Sequence, residues 1–265
     1  MDSRKFSTLT VTPFAFVALS LLMVVSGSPI PQVSTGPRVH GGNFSSTNWS
    51  GYAVTGPSGS VSDAKGSWIV PSIVGSCPST NQYSSFWVGI DGFSSNTVEQ
   101  TGTDSDCQGG TPTYYAWYEF YPHPLFIINS LTIRPGDHIS AETQFTGSKF
   151  VVIITDVTTG QSFSTSARVH SAQRSSAEWI AEAPSSSGGV LPLADFGTAR
   201  FGQDNTGTTG TCFATVSGTS GAIGSFGSSV QKITMVKNSG ATKASPSNLS
   251  SDGTSFSVTW VSSGP

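Results

Sequence analysis

"FWVGID", residues 86–91, puts two unlike faces back to back. In an extended chain successive side chains point to opposite sides, so Phe86, Val88 and Ile90 fall together, and Trp87, Gly89 and Asp91 fall together. The first set is core. The second is a tryptophan, a glycine and an acid, a mixture suited to a groove floor rather than a solvent face. In "YYAWYEFY" (114–121), Tyr115, Trp117, Glu119 and Tyr121 share one side and make an aromatic lane with a carboxyl in it. Short runs of β-branched and aromatic residues recur on either side: "GSWIVPSIV" (66–74), "KFVVIITDV" (149–157), "QSFSTSARV" (161–169), "QKITMV" (231–236) and "SFSVTWV" (255–261). Gly, Pro, Asn and Asp separate them, and "TTGQS" (158–162) reads as a hairpin turn. No long stretch has a 3.6-residue period. Regularly spaced runs of this kind imply an all-β chain, an antiparallel sandwich or barrel. Without an internal repeat or second boundary, residues 45–265 read as one domain.

Composition narrows the functions. Only 10% of the 265 residues are charged, against about 25% in a typical soluble domain. The net charge of −3 and the lack of a basic cluster argue against a nucleic-acid partner. A chain with 12 Lys and Arg and 4 His has little positive charge left to repel itself once its carboxylates are protonated. Such a surface suits an acid medium. At the N-terminus, Arg4 and Lys5 precede the apolar "FAFVALSLLMVV" (14–25) and the small residues 26–28. This is the pattern of a secretory signal peptide over residues 1–28, so the mature protein is expected outside the cell and off the membrane. Residues 29–44, rich in Pro, Gly and Ser, read as a linker or vestigial pro-segment. Export permits disulfides. Of three cysteines, Cys77 and Cys107 flank one block and are the expected pair, leaving Cys212 as a buried thiol. Neither cysteine spacing nor histidine number supports a zinc site, and no metal or cofactor is expected. Asn43, Asn48 and Asn248 each begin an N-x-S sequon.

Familiar hydrolase signatures are missing. There is no G-x-S-x-G, no H-E-x-x-H and no Asp-Thr-Gly or Asp-Ser-Gly, and His40, His123, His138 and His170 sit in unrelated contexts. What remains is Gln100-Thr101-Gly102 within "VEQTGTD" (98–104), and "SAEWIAEAP" (176–184). The latter holds Glu178 and Glu182, two of the chain's five glutamates. As a strand it puts both on one face, about 13 Å apart, too far for the carboxyl pair of a glycosidase, which needs about 5–9.5 Å. As a helix it would begin with a capping box at Ser175-x-x-Glu178, make the glutamates i,i+4 neighbours and stop at Pro184. Periodicity leaves both open.

Four blocks, in order and with matching spacing, carry a resemblance: "SSFWVGIDGF", "VEQTGTD", "YYAWYEFYP" and "AEWIAEAP". Together they resemble the glutamic peptidases (eqolisins, peptidase family G1) from about Asn48 to the last strand-like run. The resemblance implies an antiparallel β-sandwich of two curved sheets, a concanavalin A-like jelly roll. It also implies acid hydrolysis of polypeptides by a glutamine–glutamate pair, with pepstatin ineffective. Matched to the blocks, the catalytic residues would be Gln100 and Glu182. Trp87, Asp91, Asp104, Trp117, Glu119 and Glu178 would bind substrate or support the site. Where the family carries an acid ahead of A-W-Y-E, this chain has Tyr115. An unperturbed glutamate titrates near 4.3, so a glutamate base suggests an optimum of about pH 2–5. A monomer is expected. The competing reading of the aromatic lane is a carbohydrate-binding or glycoside-hydrolysing jelly roll.

Overall fold

A computed structural model describes residues 44–264. The expected signal peptide and residues 29–43 of the expected linker lie outside the described residues. Phe44, taken as the linker's last residue, already stands in the first strand. In chain order the strands are β1 (Phe44–Ser46), β2 (Trp49–Thr55), β3 (Val61–Ile69), β4 (Ser85–Ile90), β5 (Val98–Gln108), β6 (Thr111–Tyr121), β7 (Phe126–Ile127), β8 (His138–Phe145), β9 (Phe150–Asp156) and β10 (Gln161–Ala167). They continue with β11 (Ser176–Glu182), β12 (Ser185–Ser186), β13 (Gly189–Val190), β14 (Thr198–Phe201), β15 (Phe213–Val216), β16 (Thr219–Ala222), β17 (Val230–Val236), β18 (Thr242–Pro246) and β19 (Phe256–Trp260). The segment that periodicity left open, 176–182, is a strand.

Two layers follow from the pairing. The first runs β6-β5-β4-β11-β2-β17, antiparallel throughout, with β1 added parallel to β17. The second runs β10-β9-β8-β3, and β3 then pairs with β14 over one end and β15 over the other. β18 pairs with β17 of one layer and β19 of the other, so the ladder is continuous along that side. The fold is the antiparallel β-sandwich expected. The "TTGQS" turn joins β9 to β10 as a hairpin, with Asp156 opposite Gln161.

Alternation sorts the side chains as the sequence implied. Phe86, Val88 and Ile90 join Trp68, Trp179, Ile139, Ile154 and Phe201 in the core between the layers. Buried indoles need an acceptor. Here Trp68 donates to Thr103 Oγ1 at 2.9 Å and Trp179 to the Lys65 carbonyl at 2.9 Å. The outward face of the first layer carries a second apolar cluster of Trp49, Ala53, Trp87, Val98, Trp117, Ile180 and Ile233. Cys77 and Cys107 form the expected disulfide and Cys212 is a buried free thiol. Among the described residues one ion pair forms, Lys65 Nζ to Glu142 Oε2 at 3.7 Å, with both side chains partly exposed.

Candidate active site

The outward face of the first layer is built in rows, because strand register brings one residue of each strand into line. One row reads Ala53 (β2), Glu178 (β11), Gly89 (β4), Gln100 (β5) and Glu119 (β6). The next reads Gly51, Ile180, Trp87, Gly102 and Trp117. The third reads Trp49, Glu182, Ser85, Asp104 and Tyr115. The middle row is two tryptophans separated by a glycine; carboxyls stand in the rows on both sides of it.

In the first row, Glu178 and Gln100 flank Gly89. Two strand spacings put their Cα atoms about 10 Å apart, with no side chain between them. A Cβ on Gly89 would lie 2.9 Å from the Gln100 Cβ, 2.9 Å from the Glu99 carbonyl oxygen and 3.2 Å from Trp87 Cζ3. Only glycine leaves this window open. Gln100 Nε2 donates to Glu119 Oε2 at 2.9 Å, which fixes the amide's orientation.

The third row holds the other glutamate. Glu182 accepts from Trp87 Nε1–H at 2.8 Å and from Asn48 Nδ2 at 3.1 Å. Asp104 accepts from Trp117 Nε1–H at 2.6 Å and from the Tyr115 hydroxyl at 2.8 Å. Each indole of the middle row is therefore tied to a carboxyl of the third. The expected pairing of Gln100 with Glu182 is not brought together. Glu182 lies four residues further along β11 than Glu178, which puts its Cα about 16 Å from that of Gln100. The glutamate level with Gln100 is Glu178, read from the sequence as a supporting residue.

Asp91 lies one residue past the end of its strand. Strand β4 ends at Ile90, and Asp91 turns out of it with φ 71°, so alternation no longer sets its side. Its carboxyl accepts from the Arg174 amide (2.6 Å), the Ser175 amide (2.9 Å) and the Ser175 hydroxyl (3.1 Å). Asp91 thereby fixes the entry to β11, the strand that carries Glu178.

Electrostatics follow from burial. Glu178 is fully buried, and neither of its oxygens meets a donor in good hydrogen-bond geometry. Desolvation holds its carboxyl well above the usual range; the Ser176 hydroxyl pulls it down, and the charges of Asp91 and Glu99 push it further up. Glu182 is raised in the same direction by desolvation, against the pull of its Trp87 and Asn48 donors. Asp104 is pushed up to about 6 by burial and Asp106 well above its usual value. Glu99 is pushed to about 9, by burial first and Asp91 second. Among the described residues, no group of three His, Cys, Asp or Glu side chains is placed to hold a metal ion. Asn48 escaped the sequence reading as a site residue. It was legible only as a sequon, yet its side chain is buried against Glu182.

A family model described as the Peptidase A4 family matches residues 47–259. The chain is similar to aspergillopepsin-2 of Aspergillus niger, 31% identical over 179 residues, 59% of this chain and 62% of that protein. It is also similar to scytalidopepsin B of Scytalidium lignicola, 34% identical over 144 residues, 51% of each. The matches thus span about three-fifths and one-half of the length of these curated relatives. Among solved structures, scytalido-glutamic peptidase with a transition state analog inhibitor superposes with TM-score 0.66 at 26% identity, covering 84% of this chain and 100% of that one. Aspergilloglutamic peptidase from Aspergillus niger gives 0.57 at 28%, covering 68% and 99%.

Proposed function

The chain belongs to the Peptidase A4 family, and from that premise we propose that it is a secreted, acid-acting endopeptidase whose working pair is Glu178 and Gln100. One observation carries the assignment: Glu178, Gly89, Gln100 and Glu119 share a single row, and the residue between the pair is a glycine.

Hydrolysis of a peptide bond needs a base for the water, a donor for the oxyanion and an acid for the leaving amine. Glu178, ionised, takes a proton from a water lying over Gly89. That water attacks the scissile carbonyl carbon. Gln100 donates an N–H to the developing oxyanion, and an amide keeps this ability at any pH because it carries no titrating proton. Glu178 then passes its proton to the departing nitrogen. Glu119, accepting from Gln100 Nε2, keeps the amide from rotating. Burial makes Glu178 a stronger base than an exposed glutamate. A water donating to it supplies the solvation that its ionised form lacks.

Burial holds the Glu178 proton in the substrate-free fold; donation from the bound water and substrate stabilises the carboxylate and lets it ionise in acid, and activity falls at still lower pH as Glu178 is protonated. It falls again towards neutral pH as buried acids such as Asp104 lose the protons that the fold favours. Polypeptides are the substrates, and pepstatin, shaped for a pair of aspartates, is expected to leave the protein active. The signal-like residues 1–28 support export. No helix among the described residues is long and apolar enough to cross a membrane.

The test is cleavage of acid-denatured haemoglobin between pH 2 and 8 by the wild type, Glu178→Gln, Gln100→Ala and Glu182→Gln. Glu178→Gln and Gln100→Ala are each expected to lose on the order of 100-fold or more in kcat, while Glu182→Gln keeps turnover within about tenfold. Turnover that survives Glu178→Gln but dies with Glu182→Gln would return the base to the third row.

A further inference from the structure

If Glu182 is not the base, its burial on the same face needs another account. A fully buried carboxyl costs free energy, and fixed donors that meet it offset the cost. Two donors do, and they come from different elements: Asn48 Nδ2 at 3.1 Å, just before β2, and Trp87 Nε1–H at 2.8 Å, on β4. An indole has a single N–H, so committing it to Glu182 fixes the rotation of the whole ring. The far edge of that ring matters. Trp87 Cζ3 lies 3.2 Å from the point a Cβ on Gly89 would occupy, and Gln100 Cβ lies 2.9 Å from the same point. Trp87 and Gln100 therefore form two walls of the window over Gly89. Trp49 packs edge-on against Trp87, ring centroids 5.0 Å apart, and closes its other side. Asn48 is itself held, since the Ser46 hydroxyl donates to Asn48 Oδ1 at 2.9 Å.

We propose that Glu182 is a positioning residue that acts through Trp87, setting the indole wall against which a substrate side chain packs beside the reacting peptide bond. This rests on the Glu178–Gln100 assignment. Glu182 touches neither substrate nor the attacking water. Its contribution is to substrate binding, and it vanishes when the indole N–H is absent.

The experiment uses the full chain and a peptide that the wild type releases from denatured haemoglobin and cuts further. Whether Glu178→Gln abolishes cleavage is read first; a variant that still cuts overturns the dyad and leaves the binding result to be judged separately. In the inert Glu178→Gln background, Kd for the intact peptide is then measured with Glu182→Leu, with Trp87→Phe, and with both. Glu182→Leu, which removes the acceptor, is expected to weaken binding about tenfold. In the Trp87→Phe background the same change is expected to shift Kd less than about twofold, the non-additivity of a residue acting through another. In the active protein Glu182→Leu raises KM far more than it lowers kcat, and Glu182→Gln, which keeps an acceptor oxygen, recovers most of the loss. If Glu182→Leu does not fold, Glu182→Ala, which also removes the acceptor, carries the same cycle with Trp87→Phe. Additive effects, or a loss confined to kcat, would overturn the proposal.

Discussion

Gly89 works by what it lacks. A methyl there would meet the Gln100 Cβ and the Glu99 carbonyl at 2.9 Å, closer than real side chains come, and would press on Trp87. Gly89→Ala is expected to move Gln100 by a fraction of an ångström and cut kcat/KM on the order of 100-fold, with the far-UV spectrum of a folded β-protein retained. Normal kinetics in that variant would show that the window is not where the chemistry happens. At this scale the sequence disclosed much. Alternation put Trp87 on one face and Phe86 on the other, and a strand reading put Glu178 and Glu182 on one face. It could not say which glutamate stands level with Gln100. That depends above all on how β11 registers against β4, through contacts about 90 residues apart that leave no local trace. Alternation does not reach Asp91 for a different reason: the strand ends one residue earlier, at Ile90, and Asp91 has a positive φ.

The β5–β6 hairpin is the element that carries Gln100 and Glu119. Its tight turn places Gly109 and Gly110 at φ 58° and 78°, backbone angles that suit the right-handed twist of the two strands. The disulfide from Cys107 to Cys77 ties the end of β5 to the loop before β4 and closes a loop with a sequence separation of 30. Cys77→Ser with Cys107→Ser is expected to cost about 2–4 kcal/mol in urea unfolding, while cleavage at 25 °C persists because Gln100 lies seven residues away on a paired strand. Tyr115 adds a second tie. Its hydroxyl lies 2.8 Å from Asp104 Oδ2 and 3.0 Å from Asp106 Oδ2, and one hydroxyl proton cannot serve both. One of the two acids must bring a proton of its own. Tyr115→Phe should cost about 1–3 kcal/mol at pH 4, as a buried pair loses its bridge; an unchanged unfolding curve would rule the bridge out. The strands of this hairpin were legible, since Tyr115, Trp117 and Glu119 alternate cleanly. The order of strands was not. Nothing in the sequence between residues 90 and 176 announces that β11 will slot between β4 and β2.

Most carboxyls among the described residues are turned inward, with Asp204 and Asp252 among the exposed exceptions. Burial is the first cause of raised values at Asp104 (about 6), Asp63 (about 7) and Glu99 (about 9), and it raises Asp106, Glu178 and Glu182 in the same direction. A carboxyl whose folded pKa exceeds its unfolded value binds its proton more tightly in the fold. Its contribution is complete below the unfolded value, near 4, and is lost as pH rises through the folded one. The urea midpoint is therefore expected to be highest at or below pH 4 and to fall steadily towards pH 8. A midpoint that is flat or rises over that interval would contradict these protonation states. The sparse charge of the sequence pointed to acid tolerance through weak self-repulsion. The buried acids add a stronger cause that composition does not contain.

The Lys65–Glu142 pair is the one ion pair among the described residues, and it is partly open to water. Exposed pairs of that kind contribute about 0–1 kcal/mol and are screened by dissolved salt. With so little of the fold resting on attraction between opposite charges, ionic strength has almost nothing to act on. Its stability is therefore expected to answer to pH far more than to the screening of charge by salt.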